Sequence, residues 1–236
     1  MKKNLNLMIL ILSLSLIPCQ VGSCQESNTQ ESSARENSYR ETMLHTLEML
    51  NGASGHEQYL AYAGQFERIA RAEKTRWLPY YYGAYALTLM SFDETDGAKR
   101  DLLLDRAQEM LDRAQEMLDR TLENAPGESE IHALQAFMYP SRIMVDPMQR
   151  GMVYMEKTFQ SLEHAKSLNP DNPRIYFLEA INRLNMPPSM GGGVEVARPL
   201  FEKAAELFRA FQHEDPLWPR WGEEVNRSEL EKIKIN

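Results

Sequence analysis

Cysteine is almost missing from this chain. It has two, Cys19 and Cys24, and none after them. A domain folded from the remainder holds no disulfide and no thiol nucleophile. Strand signals are also scarce. There is no sustained apolar–polar alternation, and the lone Asn-Gly pair, Asn51-Gly52, falls between two helical patterns. Long apolar runs are confined to residues 5–17, which is too short for a bilayer span of ~20 residues. Positive charge is outweighed, with 26 Lys and Arg against 34 Asp and Glu and a net charge of −8. With no basic stripe, such a surface repels phosphate backbones and anionic headgroups, so nucleic-acid binding is excluded. The motifs of catalysis are absent as well. His45, His56, His132, His164 and His213 are scattered without metal-ligand spacing, and no Gly-x-Ser-x-Gly elbow occurs. The chain is therefore expected to be no enzyme, with no catalytic residues, metal or cofactor.

What is present begins with a leader. Lys2 and Lys3 precede the apolar run and small residues follow it, which predicts a signal peptide over residues 1–23. The run Val21-Gly22-Ser23-Cys24 resembles a bacterial lipobox, and this implies lipidation at Cys24; ordinary cleavage after Ser23 is the alternative. Residues 25–38 carry no large apolar side chain, so 24–38 is expected to be a lipidated cysteine with a flexible tether. The remaining residues, 39–236, can bury one core. The expected location is the periplasm or outer membrane, with membrane contact only through the anchor.

From Tyr39 onward, apolar residues recur at helical spacing. The pattern predicts nine helices, over 39–50, 56–72, 77–91, 99–124, 130–139, 151–168, 174–184, 194–212 and 221–233. Pro140 is expected to stop or kink the fifth, and Pro199 to delay the start of the eighth. Pro126, Ile131, Leu134 and Ala136 recur as Pro170, Ile175, Leu178 and Ala180, a constant offset of 44 residues. Repetition on this scale predicts an all-α fold, an α-solenoid of antiparallel helix pairs. The fourth helix contains a tandem heptad, DRAQEML at 105–111 and again at 112–118. A heptad nearly preserves helical register, so Ala107/Ala114, Met110/Met117 and Leu111/Leu118 should share the inward face. A tolerated duplication explains this better than a coiled-coil arm, which needs three or more heptads.

The helices around the Pro/Asn turns resemble tetratricopeptide repeats. Ala197 and Phe201, Leu162 and Ala165, and Tyr176 and Ala180 match that motif's small and large positions, and Asn169-Pro170-Asp171-Asn172-Pro173 matches its turn. The period exceeds the usual ~34 by about ten residues, and residues 144–150 and 187–193 are where the added length falls. Met186-Pro-Pro-Ser-Met-Gly-Gly-Gly and Trp218-Pro219-Arg220-Trp221-Gly222 are similar to runs in short exported tetratricopeptide proteins of Gram-negative bacteria. The resemblance implies a groove lined by the first helix of each pair.

That groove supplies the candidate binding residues. Trp77, Tyr81 and Tyr85 share one face of the third helix and Tyr80 lies beside them, an aromatic surface suited to a peptide or an apolar ligand. The alternative is a core stripe. Met190, Gly191, Gly192 and Gly193 form a second candidate, either an anion site at a helix start or a shaped connection whose glycines permit positive φ. Trp218 and Trp221 are expected to fold an end cap onto the last repeat, with a partner-binding knob as the alternative. Two functions fit. The first is a non-catalytic scaffold for an unidentified protein or peptide in the cell envelope. The second is a small-molecule-binding partner of a substrate-binding transport system, with an apolar or organic-acid ligand in the groove.

Overall fold

The computed structural model describes residues 22–120 and 125–235. The chain divides into two units, Met1–Ser38 and Tyr39–Asn236. All regular structure among the described residues is helical. The elements are α1 (Gly22–Asn51), α2 (His56–Ala72), α3 (Leu78–Asp93), α4 (Gly97–Leu118), α5 (Ala125–Ile143), α6 (Pro147–Leu168), α7 (Pro173–Asn185), α8 (Val194–Ala210) and α9 (Glu223–Ile235). A single 3-10 turn, Pro188–Met190, precedes α8. None of the described helices is long and apolar enough to cross a membrane.

Local chemistry explains where the helices start. Asp96, Asp146 and Asn172 each accept a bond from a first-turn backbone N–H, at Lys99, Gln149 and Arg174. Pro147 and Pro173 follow their caps directly, where a missing N–H costs nothing. The Asn172 side chain also donates to Ser129 Oγ at 3.1 Å, and Ser129 Oγ donates to the Ala165 carbonyl at 2.9 Å. The turn between α6 and α7 is thereby fastened to α5.

Neighbours in sequence pack on one another: α2 on α3, α3 on α4, α5 on α6, α7 on α8, and α8 on α9. Alternate helices also touch, α3 with α5 and α5 with α7. These three form a rank, the arrangement expected of stacked helix pairs. One apolar cluster joins α1–α4 to the Ile131, Leu134 and Met138 face of α5. A second joins the opposite face of α5, through Ala133 and Ala136, to α6–α9. The duplicated heptad lies within α4 with all six predicted inward side chains buried. Each copy also repeats one surface bond, Gln108 to Asp112 and Gln115 to Asp119.

Several boundaries differ from expectation. Helix α5 runs through Pro140 to Ile143, and the Met144 N–H bonds back to the Pro140 carbonyl. Pro140 lies in the last turn, so one ladder bond is lost while buried apolar side chains on two faces hold the helix in place. Helix α8 starts at Val194, without the expected delay. The Gly193 carbonyl accepts from both Val196 and Ala197, which closes the first turn before Pro199 is reached. Helix α4 ends at Leu118, and residues 121–124 of its expected extent lie outside the described residues. Helix α1 begins at Gly22, so residues 24–38 are helical where a tether is expected. Gln, Glu, Ala and Arg favour that conformation. Residues 30–38 are nevertheless exposed, apart from half-buried Glu36. The leader, residues 1–21, and the side chain of Cys24 lie outside the described residues.

Candidate functional site

The aromatic face of α3 is covered by the chain's own C-terminal segment, residues 211–222. Trp218 meets the edge of Trp77, with ring centroids 5.4 Å apart. Trp221 stacks on Tyr85 at 5.2 Å and packs against Phe137 of α5 at 5.4 Å. Tyr82 donates its hydroxyl to the Leu217 carbonyl at 2.8 Å, and Asp215 pairs with Arg40 of α1 at 3.1 Å. The segment therefore lies along the rank of α3, α5 and α7 rather than capping the last repeat alone. Of the predicted groove residues, Tyr81 is 0% exposed, while Trp77, Tyr80 and Tyr85 are half-buried. Tyr81 is part of the interior and is not presented to a ligand.

Beneath this segment lies an interior ion pair. Arg174 reaches both carboxylate oxygens of Glu130 at 2.6 Å, and the two side chains are 0% and 1% exposed. A third donor of Arg174 reaches the Trp221 carbonyl at 3.4 Å, and its guanidinium lies over the Phe211 ring. Burial opposes the charge on Arg174, but Glu130 outweighs that and holds the guanidinium above its usual range. The Tyr81 hydroxyl accepts from Trp221 Nε1 at 2.8 Å and points toward Glu130 Oε2 at 3.4 Å. Burial pushes the phenols of Tyr81 and Tyr82 well above the usual value. Glu130 and Arg174 are separated by the repeat offset of 44 residues. They occupy the same position in successive repeats and meet where α5 touches α7. Neither residue has a local signature of pairing; the constant 44-residue offset is the one sequence signal that relates them.

One side of the aromatic cluster remains open. A cleft of about 290 Å³ lies between α1, α3 and the C-terminal segment. Helix α1 contributes Leu44, Leu47 and Leu50, α3 contributes Tyr82 and Tyr85, and the segment contributes Pro216, Trp218 and Trp221. Glu48, Asn51 and Arg220 are its polar members. Leu44 is 40% exposed, a large apolar side chain left in water at the cleft wall. Burial holds the Tyr85 phenol well above its usual value, so it stays protonated. Flat aromatic rings, an aliphatic wall and one guanidinium suit a planar, largely apolar, anionic molecule. Of the predicted groove residues Tyr85 lines the cleft, joined by Tyr82 from the neighbouring face of α3, whereas Trp77, Tyr80 and Tyr81 do not line it. Leu44 and Leu47 stand with Met43 and Leu50 at the helical spacing of a core-facing stripe, which gives no sign of a cleft wall.

The glycine loop does not form an anion site. The N–H groups of Gly191, Gly192 and Gly193 donate to the carbonyls of Pro188, Pro187 and Arg183. Gly193 has φ of 103°, and a side chain on Gly192 would come within 2.2 Å of the Met186 carbonyl oxygen. These residues shape a connection, and their donors are used within it. Met190 is exposed beside them. Elsewhere, His132 and His164 meet edge to face with centroids 4.2 Å apart. Burial, then the neighbouring His164, lowers the pKa of His132. Among the described residues no group of three or more His, Cys, Asp or Glu could hold a metal ion.

No protein-family model matches the chain, and no curated protein matches it. Among solved structures it is similar to the HusA haemophore from Porphyromonas gingivalis, a binding protein, with 31% sequence identity and a TM-score of 0.73. The match covers 84% of this chain and 93% of that one. With this identity sustained over nearly the whole of the haemophore, and with the same helical fold, the chain belongs to the family of the HusA haemophore.

Proposed function

We propose that this protein is a carrier that binds haem, or a closely related tetrapyrrole, in the aromatic cleft between α1, α3 and the C-terminal segment. The observation that carries this reading is the cleft itself, in which Tyr85, Trp218 and Trp221 face the leucines of α1. A tetrapyrrole is flat, apolar across its ring and anionic at one edge, and each property has a counterpart in that lining. A volume of about 290 Å³ is at the small end for ligand sites. The ring therefore enters by one edge and leaves the other in solvent, which suits cargo that must be handed on. The described lining offers two phenols and no imidazole or thioether. One phenol is engaged with Leu217 and the other is kept protonated, so the ring is held by its faces and edge.

This reading belongs to the small-molecule class and displaces the protein scaffold as the first choice. Export and a lipid anchor at Cys24 remain part of it. Native mass spectrometry on protein recovered from detergent-solubilised envelope tests it. A bound tetrapyrrole is the expected result. Recovery of a stoichiometric protein partner, with no affinity for haemin, would replace the carrier by a scaffold. Cys24→Ser should move the protein from the membrane to the soluble fraction; continued membrane retention would remove the anchor from the account.

A further inference from the structure

The aromatic cleft has a neighbour. A second cleft of about 530 Å³ is lined by Arg209 of α8, by Arg220, and by Asn226 and Arg227 of α9. Arg220 lines both clefts. It joins an apolar, ring-lined surface to a surface rich in guanidinium groups.

The donors there are unevenly used. Arg227 is occupied by both oxygens of Glu224 at 2.6 Å. Arg209 reaches only the Ala205 carbonyl of its own helix, at 3.2 Å. Arg220 donates to the His213 carbonyl at 3.1 Å, and the His213 ring stacks on Trp218 at 4.1 Å. That single bond ties the Arg220 head to the aromatic cluster and leaves its other N–H groups available. Among the described residues neither Arg209 nor Arg220 has a carboxylate within ion-pair distance. In a chain with net charge −8, two adjoining arginines without acidic partners are out of balance with the rest of the surface. Glu48 in the first cleft and Glu223 in the second oppose an arriving anion, and Glu224 is neutralised by Arg227.

We propose that Arg220, with Arg209 behind it, forms the carboxylate-recognition site for the cargo. It would fix the ring's orientation, with the acidic edge toward α8 and α9 and the apolar edge against the leucines of α1. The chemical class recognised is a planar dicarboxylic acid, and the pairing is guanidinium to carboxylate, two parallel N–H to oxygen bonds where the geometry allows. Arg220 is exposed, so the contribution is salt-sensitive and its main result is selectivity for the free acid. This inference rests on the carrier reading.

The test compares mesoporphyrin with its dimethyl ester, titrated into the full mature chain and into Arg220→Gln, Arg209→Gln and Arg220→Lys. The wild type should bind the diacid about tenfold more tightly than the ester, the scale of a charged hydrogen bond. Arg220→Gln should remove that preference by weakening the diacid about tenfold more than the ester, Arg209→Gln should reduce it, and Arg220→Lys should restore part of it. Raising the salt should weaken the diacid and spare the ester. Equal affinity for both forms in the wild type, or a preference that survives both glutamine variants, would overturn the proposal while leaving the carrier reading intact. Failure to bind either form would overturn the carrier reading and this proposal together.

Discussion

Arg174 and Arg220 both meet the C-terminal segment, yet their surroundings have little in common. Arg174 is fully buried, gives two donors to Glu130 and a third to the Trp221 carbonyl, and presents no surface to solvent. Arg220 is exposed, spends one donor on the His213 carbonyl, and lines two clefts. The same side chain is a fastening in one place and, in the proposal made above, a receptor in the other. The contrast teaches that residue type does not mark the site here. Unspent hydrogen-bonding capacity beside an apolar surface does. Trp221 belongs to both regions, giving its indole N–H to Tyr81 in the interior and its ring to the open cleft.

The strongest way to break this contrast is to remove the interior charge. Arg174→Ala leaves Glu130 buried without a partner and should cost roughly 3–5 kcal/mol in urea denaturation. Replacing both partners, with Glu130→Leu and Arg174→Met, should recover most of that loss. A double variant as unstable as the single one would show that the pair is not the unit of stability. Tyr81→Phe should have a smaller effect. It removes the acceptor for Trp221 Nε1, which should cost about 1 kcal/mol and leave porphyrin affinity unchanged. A large drop in affinity would place Tyr81 in the site after all.

The smallest expected effect concerns pH. The folded-state pKa of His132 lies below its ordinary value of 6.5, chiefly because burial disfavours the charged ring and secondly because His164 faces it. The folded state therefore holds fewer protons than the unfolded chain on the acidic side of that value. This contribution to stability is fully present above the ordinary pKa of 6.5 and is lost as pH falls through the depressed one. His132→Gln should flatten that part of the stability profile. An unchanged profile in the variant would assign the slope to other groups.

Much of the frame was legible before the structure. Helical periodicity gave each element its place, because an apolar stripe at that spacing has to face a core. The Asn172-Pro173 turn was readable because a capping side chain followed by proline has one physical meaning. Pro140 and Pro199 were misjudged because local propensity omits the packing that surrounds α5 and the Gly193 bonds that open α8. The site was less legible for a related reason. Periodicity assigned Trp77, Tyr81 and Tyr85 to shared faces of α3, but it could not show that residues 211–222 return across them. A contact spanning 140 residues, from Trp221 to Tyr81, leaves no local signature. Leu44 and Leu47 looked like core because sequence does not distinguish an apolar face that is covered from one left open.

The most direct test of the carrier is a titration of haemin into the mature chain, read by quenching of tryptophan fluorescence and repeated with Trp218→Ala. The wild type should bind one equivalent saturably. The variant should bind at least about tenfold more weakly, since a ring at the centre of a site carries a large share of its affinity, and it should keep the wild-type circular dichroism. Equal affinity in wild type and variant, or no saturable binding in either, would contradict the assignment of the aromatic cleft as the carrier site.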